Sequence, residues 1–139
     1  MLNEMEQRAL EMLLAGEDAR LAVLRAQLNK AVVTHRELSG VGFFTYLSVP
    51  THLPRMRGSP RLVIGDVEAD VEGLKHPAGF LLFVIEGALS LLECFIVDDR
   101  WPETATLRRA YYVHPPARGK RSLVETKERD LAWALGDTR

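Results

Sequence analysis

In the first thirty residues, apolar side chains recur every three or four positions, and charged side chains fill most positions between them. This spacing is typical of amphipathic helices. Gly16 can end a first helix in the left-handed conformation, and Asp18 can cap a second helix by accepting its free N–H groups. Residues 1–31 are therefore predicted to form a helical hairpin.

After this segment the pattern changes to alternating, β-branched and aromatic residues, which favour strands. Residues 63–72 alternate between mainly apolar and mainly acidic side chains, as in a strand with one face in solvent. Residues 80–85 and 88–97 are apolar on both faces, and a typical hairpin turn, Glu86-Gly87, separates them. We expect these two strands side by side at the centre of a sheet.

Short turns link the predicted strands, whereas parallel neighbours need crossover connections of roughly a dozen residues or more. The sheet is therefore predicted to be an antiparallel meander of about five strands. With 139 residues, 47% of them hydrophobic, the pattern indicates a single α+β domain. Its expected parts are the helices in 1–31, the sheet in 32–113, and a tail or docking helix in 114–139.

The charge balance argues against a nucleic-acid partner. Eighteen Lys and Arg residues against nineteen Asp and Glu residues give a net charge of −1, so there is no overall positive field. Only local patches are basic: Arg55, Arg57 and Arg61, and the cluster in 118–121. No apolar stretch approaches the roughly 20 residues of a membrane span, and the N-terminus lacks the layout of a secretion signal. We expect a cytoplasmic protein without membrane contact.

Motifs for cofactors and metals are missing from the sequence. A single cysteine, Cys94, excludes an intramolecular disulfide and cannot form a thiolate zinc site alone. The four histidines lie in separate segments, and no phosphate-binding, dinucleotide-binding or serine-elbow motif occurs. We therefore expect no cofactor and no bound metal.

Glu93 interrupts the apolar strand 88–97. A carboxylate in such surroundings must reach solvent, pair with a cation, or face a pocket. In a pocket its pKa would rise, and it would be the best general acid or base in the chain. The cations available for pairing are Arg100, Arg108 and Arg109.

Four acidic residues fall at every second position of the strand predicted in 63–72: Asp66, Glu68, Asp70 and Glu72. A straight strand places all four on one face, about 7 Å apart. Sites for hard cations need oxygen ligands that converge, and a straight strand spreads them too evenly. The expected role is a solvated sheet face that also discourages edge-to-edge pairing.

Several segments carry a resemblance to a known group of proteins. The residues are Gly40–Thr45 (GVGFFT), Ala78–Phe83 (AGFLLF), Leu92–Glu93 and Trp101–Pro102. In this combination the chain resembles a group of small bacterial proteins of unassigned function, and the match runs from Thr34 to Pro102. The resemblance implies short N-terminal helices on an antiparallel sheet. Some sequences of the group look like the immunity partners of secreted bacterial toxins.

The apolar segment 80–97 needs cover on both faces of the sheet, whereas two short helices cover one. We therefore predict a non-catalytic protein-binding module, immunity-like or self-associating, with a homodimer expected and another protein partner as the second option. The alternative is a small hydrolase or lyase with an acid–base pocket formed by Glu93, His35 and Asp66.

Overall fold

The computed structural model describes residues 1–58, 61–115 and 123–137, which form three helices and seven strands. The helices are α1 (Glu4–Leu13), α2 (Ala19–Leu28) and α3 (Leu131–Ala134). The strands are β1 (Val32–Leu38), β2 (Gly42–Ser48), β3 (Arg61–Val71), β4 (Ala78–Ile85), β5 (Ala88–Phe95), β6 (Leu107–His114) and β7 (Val124–Thr126).

The seven strands form one antiparallel sheet in the order β1-β2-β5-β4-β3-β6-β7. The predicted α+β class and the antiparallel sheet are confirmed, and β4 and β5 are central neighbours as expected. The sheet has seven strands instead of about five. Only β3, β4 and β5 run as a meander, because the connection from Ser48 to Arg61 is long enough to pass two strands and β2 pairs with β5.

Side-chain caps set the starts of the first two helices. Asn3 accepts a hydrogen bond from the Glu6 N–H, and the Glu6 carboxylate accepts one from the Asn3 N–H, which forms a capping box for α1. Asp18 caps α2, as the sequence predicts. Helix α1 ends at Leu13, and Gly16 follows with a φ of 125°. The two predicted helices are therefore confirmed.

The helices pack on one face of the sheet. Helix α1 contacts β3, β4 and β6, α2 contacts β5, and α3 contacts β3. Burying one large aliphatic side chain contributes about 1.5–3 kcal/mol, so this layer supplies most of the hydrophobic stabilisation. Its fully buried members include Leu10, Leu13, Leu21, Leu24, Ile64, Leu82 and Leu92.

The hairpin between β4 and β5 is fixed by a buried amide of α2. Glu86 and Gly87 both have positive φ, 52° and 76°, as a two-residue primed turn requires. The Gln27 amide nitrogen donates to the Gly87 carbonyl at 2.9 Å, and its amide oxygen accepts from the Leu89 N–H at 3.0 Å. The predicted turn is confirmed, and α2 is bonded to it directly.

Asp66 does not share a face with Glu68 and Asp70. The register between β3 and β4 shifts within residues 64–67, where a bulge inserts extra chain into β3. The bulge turns Asp66 to the helix-covered face, where its side chain is fully buried. The prediction of four carboxylates on one face is therefore wrong, and Glu72 lies beyond the end of β3.

Of the two options for the C-terminal segment, the described part contains a short helix. Helix α3 buries Ala134, and Leu135 just after it is also buried. The basic cluster in 118–121 lies outside the described residues. In the described ranges, no helix is long and apolar enough to span a membrane.

Candidate functional site

The sheet has a second face, on the side away from the helices, which is rich in large apolar side chains. On each central strand, residues that alternate with the buried core positions point to this side and are only half-buried. Val63 is more exposed than the others, at 40%. We call this side the open face and define it by Phe44, Tyr46, Val63, Leu81, Phe83, Leu91, Glu93 and Phe95.

Strand register sets these side chains in rows across the sheet. Tyr46, Leu91, Phe83 and Val63 occupy successive strands in one row. Directly opposed side chains on neighbouring strands have Cβ atoms roughly 5 Å apart, so the members of a row touch. The row forms a continuous apolar band over four strands.

Glu93 lies at the centre of the open face. In its own row it stands between Phe44 on β2 and Leu81 on β4, and along β5 its same-face neighbours are Leu91 and Phe95. No described residue forms a hydrogen bond or ion pair with its half-buried carboxylate. Glu93 is therefore a partly solvent-accessible carboxylate inside a ring of apolar side chains.

The arginines expected to pair with Glu93 do not do so in the described structure. Arg109 lies on β6, three strands from β5, or roughly 14 Å at ordinary strand spacing. It binds Asp70 at 3.2 Å and Glu125 at 2.6 Å instead. None of the three arginines forms a hydrogen bond or ion pair with Glu93 in the described structure, and the register separates Arg109 from it by three strands.

Glycines keep the open face shallow. A Cβ at Gly79 would lie 2.5 Å from the Phe95 ring, and one at Gly65 would lie 2.5 Å from a Leu81 methyl group. Both large side chains therefore lie over glycine positions instead of standing away from the sheet. The Phe95 ring and the Leu81 side chain therefore fill the space that larger residues at positions 79 and 65 would occupy.

Acidic groups surround the apolar band. We call Glu37, Glu68, Asp70 and Glu125 the acidic rim. Burial raises the pKa of Glu68, and the neighbouring Asp70 carboxylate adds to this effect. Counting Glu93, five carboxylates on this side of the described sheet stand against two guanidinium groups, Arg61 and Arg109. The open face and its rim therefore carry a net negative charge.

Asp66, a predicted catalytic candidate, has a structural environment. Its carboxylate accepts hydrogen bonds from Arg129 at 2.7 and 2.9 Å, and both side chains are almost fully buried. Arg129 also donates to the Leu13 and Ala15 carbonyls at the end of α1. The pair connects the β3 bulge, α1 and the C-terminal segment, and it leaves no acid free for substrate.

His35, the third candidate, lies on β1 near the edge of the open face. Its Nε2 is 3.1 Å from the Glu37 carboxylate, and its ring centroid is 5.6 Å from that of Tyr46. It is two strands from Glu93, which corresponds to roughly 10 Å. Asp66 is on the opposite face. The structure therefore does not bring the three candidates together.

Sequence reasoning missed a second buried carboxylate, Glu6, although the Asn3-x-x-Glu6 spacing is a signal for a capping box. Glu6 is fully buried and accepts two hydrogen bonds from Arg36, both at 2.8 Å, and one from the Thr45 hydroxyl. Burial opposes its ionisation, but the hydrogen bonds from Arg36, Thr45 and Asn3 outweigh burial and lower its pKa.

A groove of about 420 Å³ lies beside Glu6, between the start of α1 and the β1–β2 edge. Phe43 and Trp101 line it with their rings 5.5 Å apart. Glu6 also lines the groove, but hydrogen bonds from Arg36, Thr45 and Asn3 occupy its carboxylate. Glu93, His35 and Asp66 are not among the lining residues.

Two kinds of reactive site, a nucleophilic thiol and a metal centre, find no support among the described residues. Burial raises the pKa of Cys94, so the thiol is a poor nucleophile. No group of three or more His, Cys, Asp and Glu side chains within the described ranges is placed to hold a metal ion.

No protein-family model, curated protein or solved structure matches this chain. The resemblance to small bacterial proteins therefore stays a prediction from the sequence.

Proposed function

We propose that the protein is a non-catalytic protein-binding module and that the open face is its docking surface. The observation that carries this proposal is the apolar band of Tyr46, Leu91, Phe83 and Val63, which lies on the side of the sheet away from the helices. Contiguous apolar surface rimmed by polar groups is typical of protein interaction sites. An immunity-like role, as the sequence resemblance implies, is one form of this function.

The size of the face suits a protein partner. Seven strands at about 4.8 Å spacing and three rows of side chains give a surface of roughly 30 by 20 Å, or about 600 Å². A stable interface buries about 800 Å² on each partner, so the face and its rim supply most of that area. A small-molecule site, in contrast, is concave.

The partner we favour is a different protein and not a second copy. Two open faces brought together around a twofold axis would bring two acidic rims towards each other, with a Glu93 in each apolar centre. Like charges that lose water at an interface oppose association. The predicted homodimer is the second form of the proposal, favoured only by the apolar band.

Peptide selection tests the proposal. A random-peptide phage library is panned against the immobilised protein, and enriched peptides are synthesised. Binding is then measured by calorimetry for three proteins: wild type, Leu91→Asn and the control Val97→Asn. Val97 is 58% exposed and lies outside the open face, so it matches the change without touching the surface.

We expect Leu91→Asn to weaken peptide binding at least tenfold and Val97→Asn to leave it within twofold. Thermal melts check that both variants fold. Peptides that bind all three proteins equally would contradict the open face as the docking surface. Light scattering at tens of micromolar separates the homodimer, since wild type would then have twice the monomer mass and Leu91→Asn would not.

A further inference from the structure

The position of Glu93 on the open face indicates which chemical group a partner needs. This inference rests on the proposed function and deepens it. We propose that the partner is an apolar polypeptide segment carrying a lysine or arginine that pairs with Glu93.

Covering Glu93 with an apolar partner costs free energy. Its neighbours on the open face are Phe44, Leu81, Leu91 and Phe95, so a partner that packs on these side chains removes water from the carboxylate. A buried charge without a compensating group is strongly unfavourable. A partner that is apolar throughout would therefore bind this surface poorly, and one with a matched cation would satisfy it.

Within the part of the chain that the structure describes, no cation pairs with Glu93. No described residue pairs with Glu93, and the nearest row-mates are aromatic or aliphatic. Arg109 is held between Asp70 and Glu125 on the other side of the sheet centre. Since no described residue neutralises Glu93, a partner that covers it would supply the cation.

The carboxylates of the open face and the acidic rim also favour a basic partner. Glu68, which no described residue hydrogen-bonds, is a second half-buried carboxylate on this side, next to Gly79 and Tyr111 in the register. Among the described residues of the sheet, five carboxylates against two guanidinium groups give this face a negative potential, which steers basic partners towards it. The same potential disfavours a second copy of this chain.

The arrangement resembles the centre of a typical protein interface in energetic terms. Charged pairs that are shielded by a surrounding ring of apolar contacts contribute more than exposed pairs at a rim. Glu93 has such a ring already in place on its own side. Its pairing with a partner cation would make it the dominant polar contact of the complex.

The experiment uses the peptides selected against the wild-type protein. We expect the enriched sequences to contain Lys or Arg flanked by apolar residues. Glu93→Gln, which keeps the shape and removes the charge, should weaken their binding at least tenfold. The matched control is Glu17→Gln, an exposed acid between the first two helices, which should leave binding within twofold.

A second set of peptides completes the test. Replacing the peptide cation by Gln should weaken binding to wild type as much as Glu93→Gln does, and should cause less than a twofold further loss with the Glu93→Gln protein. Such a cycle assigns the effect to this one pair and not to general loss of charge.

The outcomes separate the inference from the proposed function. If Leu91→Asn abolishes peptide binding but Glu93→Gln does not change it, or if the peptides carry no cation, the pairing with Glu93 is refuted and the docking surface stands. If no peptide is enriched, or if Leu91→Asn also leaves peptide affinity unchanged, the open face is refuted as the docking surface.

Discussion

The ring of Phe95 on β5 lies over Gly79, its register partner on β4. A Cβ built at position 79 would be 2.5 Å from Cζ of that ring and 2.8 Å from Cε1. Glycine is thus required at position 79 because the Phe95 ring occupies the space of a Cβ atom, and not because the backbone turns there. Phe95 in return shields the backbone that the glycine leaves bare.

Gly79→Ala should therefore destabilise the fold. The added methyl group forces Phe95 out of its position, and overpacking of this kind costs about 1–3 kcal/mol. Urea unfolding followed by circular dichroism measures the change. Phe95→Ala supplies the control, since Gly79→Ala in that background should cost much less; equal costs in both backgrounds would show that the ring is not the obstacle.

Removal of Arg129 should be the most damaging of the substitutions considered. Arg129→Met leaves the fully buried Asp66 carboxylate without a partner, and breaking a buried pair in this way costs about 3–5 kcal/mol. The double variant Asp66→Leu/Arg129→Met removes the orphaned charge and should be more stable than Arg129→Met. Thermal and urea denaturation measure all three proteins. A double variant no more stable than Arg129→Met would contradict this account.

The buried Glu6 should make stability depend on pH. Its pKa is lower in the folded protein than the ordinary value of 4.5, so the folded state binds fewer protons than the unfolded state. Its contribution is complete above the ordinary value and is lost as the pH falls through the folded pKa. Urea unfolding between pH 7 and pH 3 should show a steeper acid loss for wild type than for Glu6→Gln.

Glu6→Gln should also lower the stability at pH 7, by about 1–3 kcal/mol, because the Arg36 and Thr45 hydrogen bonds lose their charged acceptor. The surface substitution Glu11→Gln is the control and should change neither quantity by more than about 0.5 kcal/mol. Parallel pH profiles for wild type and Glu6→Gln would mean that Glu6 does not carry the effect.

Glu93→Leu should convert the open face into one unbroken apolar patch. The charge that opposes self-association in the centre of the face is then gone, so the apparent molar mass should rise with concentration. Light scattering from 5 to roughly 200 µM would detect the change, with Glu17→Leu as the matched control. Concentration-independent mass for both variants would contradict the proposal that the Glu93 carboxylate opposes self-association.

Local sequence signals predicted the elements that are fixed by local physics. The Glu86-Gly87 turn needs two positive φ angles, and Asp18 needs only the N–H groups of the next helical turn. Central placement of β4 and β5 followed from their apolar character on both faces. These predictions hold because few other arrangements satisfy the same residues.

The remaining features depend on contacts between distant parts of the chain. The bulge that turns Asp66 inwards is paired with Arg129, which is far away in sequence, and no alternation pattern reveals it. The pairing of β2 with β5 likewise depends on contacts between segments that are distant in sequence. The position of Glu93 among apolar side chains was visible in the sequence, but its lack of a partner followed only from the register.

The contacts of Arg129 with Asp66 and with the end of α1 bear on how the chain folds during its synthesis. Arg129 binds Asp66 on β3 and the Leu13 and Ala15 carbonyls at the end of α1. Asp137 forms an ion pair with Arg20 on α2 at 2.6 Å. A ribosome-bound chain that has not yet released residue 129 therefore lacks the group that neutralises Asp66. During synthesis these contacts must wait until residues 129–137 have emerged from the ribosome, and α1 and α2 gain them only then.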